Sequence, residues 1–167
     1  EASIVEMSTR LAAAGTIAGL SSTEILGLAT AMSSVGIQAE AGGTAMSQTL
    51  ASLEKNVANF RAGADNNLDK IAQVAGVSAE AFAEAWEKKP TMALQGFISG
   101  LGNLDEQGES ATLVLDELGM SGIRQSNMLK SLGLASDELG RALNHDERAH
   151  LLFLQDLNRI GGRIDCL

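Results

Sequence analysis

His145 and His150 bracket two carboxylates in the run His145-Asp146-Glu147-Arg148-Ala149-His150. Imidazole with carboxylate suits zinc, but the helical zinc motif His-Glu-x-x-His sets its histidines four apart on one face. Here they are five apart, which on a helix sends the two rings to different sides. The spacing supports two surface histidines and no metal site. Cys166 is the single cysteine of the chain. A thiol nucleophile needs a nearby base and a group to orient that base, and no motif around Cys166 supplies either. With one cysteine no intrachain disulfide can form, and the sequence carries no sign of secretion.

Glycine and carboxylate patterns give no catalytic set either. Gly100-Leu101-Gly102-Asn103-Leu104-Asp105 lacks the third glycine of a dinucleotide loop and follows no strand pattern. Gly119-Met120-Ser121-Gly122-Ile123 is one residue away from a nucleophile elbow, again without the strand. The pairs Asp105/Glu106 and Asp116/Glu117 fall at expected turns or helix ends, where solvated charge is the plainer reading than general acid and base. Gly96 to Gly100 and Gly15 to Gly19 each set small residues four apart, a spacing that outside a membrane favours close helix packing. No catalytic, cofactor-binding or metal-binding residue is expected, and no cofactor.

The elements around these residues read as helices throughout. In Leu26–Leu53 and its flanks, Ile25, Leu28, Ala29, Met32 and Val35 share one helical face. Gly36 then sits where a helix end favours positive φ. Gln38 to Gly43 reads as a polar turn, after which Met46, Leu50, Leu53, Val57 and Phe60 form a second face. Two such faces predict an αα-hairpin. Before it, Ile4, Met7, Leu11, Ala14 and Ala18 stripe a first helix closed by Gly19 and Leu20, and Ser21 with Glu24 reads as a capping box.

After the hairpin, Gly63 to Asn67 is a turn, and a short helix from Leu68 ends at Gly76. Ser78 caps the next helix, with Phe82, Ala85 and Trp86 inward. Pro90 ends it and suits the first position of its successor, which buries Leu94, Phe97, Ile98, Leu101 and Leu104. Ser110 caps a segment running through Leu115 and Leu118 to Gly119. Ser121 begins a helix with Ile123, Met128, Leu129 and Leu132 inward and Gly133 closing it. Ser136 to Leu139 opens the last helix, lined by Leu139, Leu143, Leu151, Leu152, Leu154 and Leu157 and stopped by Gly161-Gly162. Eight or nine short helices result.

Composition agrees with an all-α, compact multi-helix domain of about eight short helices with αα-hairpins. Hydrophobic residues make up 45% of 167, enough for a core, and aromatics only 3%, so that core is aliphatic. There is one proline and no tyrosine. A net charge of −9 argues against a nucleic-acid-binding surface, which needs clustered Lys and Arg. The longest apolar run, Leu11 to Leu20, is half of the roughly 20 residues a membrane span needs. No signal peptide is visible. Residue 1 is Glu rather than Met, from which a piece of a longer protein is expected.

Four stretches, taken together and in order, resemble the core region of phage tail tape measure proteins. They are Ala29 to Ser47 (ATAMSSVGIQAEAGGTAMS), Val74 to Phe82 with Trp86, Leu94 to Leu104 (LQGFISGLGNL) and Leu118 to Gln125 (LGMSGIRQ). The resemblance covers more than half of the chain and fades from about Asn144. It therefore divides the sequence into a core-like domain, residues 1–143, and a C-terminal helix and tail, residues 144–167.

The resemblance implies a structural protein of the virion tail, assembled in the host cytoplasm. Such a protein occupies the lumen of the growing tail tube, and its length sets tail length. The implied partners are tail tube and tail-tip proteins, tail assembly chaperones and further copies of itself. An alternative is a fragment of a tail-associated peptidoglycan-degrading enzyme, against which one Trp and no Tyr argue, since sugar clefts use aromatics. A plainer alternative is a helical protein-interaction module.

Overall fold

Local capping chemistry sets several of the helix boundaries. In the computed structural model, which describes residues 2–104, 107–143 and 155–159, α1 spans Ala2–Ile17 and α2 Ser22–Ser34. The Ser21 hydroxyl accepts from the Glu24 amide, and Glu24 Oε1 accepts from the Ser21 amide at 2.9 Å, so the expected capping box is formed. Then follow α3 (Ala39–Ala62), α4 (Leu68–Ala75), α5 (Ala79–Lys88) and α6 (Pro90–Asn103). Ser78 caps α5 through the Ala81 amide, and Pro90 takes the first position of α6. Gly63 and Gly76 end α3 and α4 in the left-handed region. The chain goes on through α7 (Ala111–Glu117), α8 (Ile123–Leu134) and α9 (Ser136–Ala142), and residues 155–159 are again helical. Ser110 caps α7, its hydroxyl accepting from the Leu113 amide.

The class is all-α, with no strand among the described residues. Two helical groups share one continuous core. In the first, α1 lies against both α2 and α3. In the second, α6 is central, packed on α8, α4, α5 and α9. Every residue from Pro90 to Ile98 is buried, so α6 has no solvent face over its first two turns. The groups meet where α3 packs on α8 and α2 on α9. Polar ties reinforce that seam: Thr91 donates to Glu24 at 2.9 Å, and buried Gln125 donates to the Thr49 hydroxyl at 2.9 Å.

Several sequence expectations need correction. α2 and α3 do not form a self-paired hairpin; they barely touch, and α1 buries the apolar face of each. Gly42 and Gly43 are not in a turn but inside α3, both buried. A methyl group on Gly42 would overlap Ile37 of the α2–α3 connection, and one on Gly43 would come within 2.8 Å of Arg10 Cβ, so Gly43 serves the α1–α3 approach and Gly42 the packing of that connection on α3. α3 itself, at 24 residues, is not short.

Ile123 was expected inward but is 80% exposed, at the first position of α8, whose N-cap is Gly122 rather than Ser121. Gly133 does not close α8. It lies within the helix, where Gly133 Cα is among the atoms a side chain on Gly102 of α6 would strike. Phe60 is half-buried at the edge of the core rather than within it. The last helix stops at Ala142, short of the continuous run to Leu157 that the sequence suggested. Leu157 is buried, while Leu151, Leu152, Leu154 and the Gly161-Gly162 stop lie outside the described residues.

Candidate functional site

The residues whose chemistry invited attention are dispersed. Gly100 and Gly102 lie inside the last turns of α6, where they admit neighbouring backbone and leave no phosphate cradle: a side chain at Gly100 would overlap the Val74 carbonyl oxygen. Gly119 adopts a φ of 73° at the end of α7, with Met120 buried and Ser121 exposed, so this segment is a helix–helix turn. Asp116 and Glu117 are solvent-facing at the α7 C-terminus, and Glu117 stands 3.9 Å from Lys70. His145, Asp146, Glu147, His150, Cys166 and the Asp105/Glu106 pair lie outside the described residues. No group of three metal-ligating side chains occurs among the described residues.

Concave surface among the described residues includes three grooves. One groove, about 560 Å3, is lined by Ser52, Lys55, Asn56, Asn59, Asp65, Asn66, Asn67 and Leu118. Its amides are already engaged. Asn56 donates to the Ser52 carbonyl and accepts from the Asn67 amide, while Asn66 accepts from the Leu68 amide and donates to the Ala64 carbonyl. Asn59 donates to the Asp65 carbonyl at 3.3 Å. These bonds hold the α3–α4 turn, replacing the side-chain cap that Asn67 does not supply. The sequence signalled a turn here and nothing more.

A second cleft, about 320 Å3, lies where α1 ends against α3 and α5 and is lined by Ile17, Glu54, Arg61, Trp86 and Glu87 among others. Trp86 is 2% exposed and its indole N–H donates to Glu54 Oε2 at 2.5 Å. The Phe82 and Trp86 rings stack at 6.5 Å with planes 12° apart. Arg61 clamps two carboxylates, Nη1 to Glu80 at 2.7 Å and Nε to Glu87 at 2.6 Å. The bonds to Glu80 and then Glu87 raise the guanidinium above its ordinary value, against a smaller effect of burial. Both charges of the clamp are satisfied internally, so it joins α3 to α5. Sequence spacing could not reveal it, because the partners stand 19 and 26 residues from Arg61.

The third is an apolar groove of about 270 Å3 between the start of α3 and α8. Ile37, Ala41, Gly42 and buried Met128 form its floor, and Gln38, Arg124, Asn127 and Ser131 its rim. It differs from the other two in that its floor is hydrocarbon and it has one charged lining residue, Arg124. A hydrocarbon floor with a polar rim is also the composition of protein–protein interface patches.

Comparison with known proteins found no match: none of the family models, the curated proteins or the solved structures is similar to this chain.

Proposed function

We propose that this chain is a structural domain of the tape measure protein of a tailed phage or prophage, acting in tail assembly and tail-length determination inside the tail tube. The observation that carries the reading is the series of four tape-measure-like stretches between Ala29 and Gln125, in the family's order. Helical packing with little aromatic content is compatible with it. On this reading the partners are tail tube and tail-tip proteins, tail assembly chaperones and other tape measure copies, and the site of action is the virion tail.

Tailed particles purified after induction of the source prophage test it. Peptides of this chain should be recovered by mass spectrometry in the tail fraction, together with tube protein. Tail fractions that contain tube protein and lack this chain would overturn the reading. Release of soluble fragments from purified peptidoglycan by the chain alone would place it among enzymes instead.

A further inference from the structure

We propose that the solvent face of α8 docks an amphipathic helix of a partner protein, one whose apolar ridge is flanked by acidic side chains. This does not depend on where the chain works, and it fails or stands separately from the tail assignment. At about 100° per residue, Ile123 and Leu134 fall within about 20° of one another, along one line of the helix. They are 80% and 84% exposed, the two most exposed large hydrophobics among the described residues. Eleven residues of helix separate them by about 16 Å. Asn127 lies on nearly the same line.

Charge frames that line. On the helical wheel Lys130 falls about 20° to one side of Ile123 and Arg124 about 100° to the other, at the two edges of the solvent face. Arg124 also borders the apolar groove floored by Ile37, Ala41 and Met128, so the groove and the exposed line form one surface. Lys130 reaches across to Thr112 of α7 at 3.2 Å, next to Leu113, which is 65% exposed. The surface thus widens from α8 onto α7.

The composition of this stretch decides what it fits. From Leu118 to Ser136 there is no Asp or Glu, in a chain that carries 21 acidic against 12 basic residues. A hydrophobic line with a cation on each side is the complement of a helix with a hydrophobic ridge and an anion on each side. A second copy paired through the same face is disfavoured by that charge. A two-fold pairing of α8 would set Ile123 against Leu134 of the other copy, but it would also bring two cationic helices together.

The test uses the 167-residue chain and two synthetic helical peptides that share one leucine ridge, flanked by Glu in one and by Lys in the other. Fluorescence anisotropy should show the Glu peptide binding and the Lys peptide at least about tenfold weaker. Ile123→Asp or Leu134→Asp should abolish binding, and Arg124→Glu with Lys130→Glu should reverse the peptide preference. All four residues are on the surface, so far-UV circular dichroism of each variant should match the parent. Absence of binding by the Glu peptide, equal binding of both peptides, or binding indifferent to these substitutions overturns the proposal. So does sedimentation showing a dimer that Leu134→Asp converts to monomer, which would assign the face to a second copy.

Discussion

Trp86 makes the case for how much one side chain holds. It fills the seam between α5 and α3 with 2% of its surface exposed, stacks on Phe82 and spends its one polar atom on Glu54. Trp86→Ala should cost about 3–5 kcal/mol in denaturant unfolding, the range for deleting a large buried ring. Its emission in the native protein should be blue-shifted, and emission typical of indole in water would contradict the packing described. Glu54→Leu should cost about 1–3 kcal/mol by stranding the indole N–H, whereas Glu54→Gln keeps an acceptor and should cost less.

Arg61 is the contrasting residue. Its side chain is more than a third exposed, so solvent screens both ion pairs despite their short distances. Arg61→Gln should therefore cost about 1 kcal/mol or less, and added salt should shrink the difference. The sign of any pH effect follows from the raised folded value. What Arg61 contributes is complete below the ordinary arginine range and is lost only as pH rises through the still higher folded value. Stability curves of the parent and Arg61→Gln should run parallel with pH through the alkaline side of neutrality. A gap closing there would mean that another group titrates against Arg61.

At the scale of elements, the crossings of α6 rest on missing side chains. Gly→Ala inside a helix ordinarily stabilises by about 1 kcal/mol through propensity. At Gly100 the added methyl would overlap the Val74 carbonyl oxygen of α4, and at Gly102 the Gly133 carbonyl oxygen of α8. Backbone cannot yield as a flexible side chain does, so the sign should reverse, with each change costing about 1–3 kcal/mol as overpacking. A higher denaturation midpoint for Gly100→Ala would show that α4 and α6 have room to part.

The same crossings explain what the sequence could and could not disclose. Ser21 with Glu24, Ser78, Pro90, Gly63 and Gly76 were legible because a cap or stop is decided within a few residues. The close approach at Gly100 was also legible, from small residues four apart. Gly42, Gly43 and Gly133 were misread as turn and stop because the same residue type serves a break or a contact. Only the partner in space tells which, and for Gly43 and Gly133 that partner (Arg10 or Gly102) is more than 30 residues away. The pairing of α1 with α2 and α3 was illegible for a like reason: an apolar face does not name what covers it. Ile123 looked inward on hydrophobicity alone, and the surface proposed above for docking was hidden by that assumption. Arg61 with its carboxylates left no trace in local spacing.

For the whole molecule, the question is length. A ruler works by extension, and a continuous helix of 167 residues would span about 250 Å at 1.5 Å per residue. This chain instead folds back at each break, and its longest helix, α3 with 24 residues, spans about 36 Å. Adding residues here thickens a packed body more than it lengthens a rod. If the tape measure assignment holds, extended helices elsewhere do most of the measuring, and this domain presents surface to assembly partners. Far-UV circular dichroism of the chain should show helix without strand. On the tape measure assignment, in-frame deletion of Ile25–Leu132 removes most of α2 through most of α8 and leaves α1 without the faces it covers. Electron microscopy should then find tails absent or misassembled. Well-formed tails shortened in proportion to about 1.5 Å per missing residue would show that the segment is stretched out in the tube, and that its packed form plays no part in assembly.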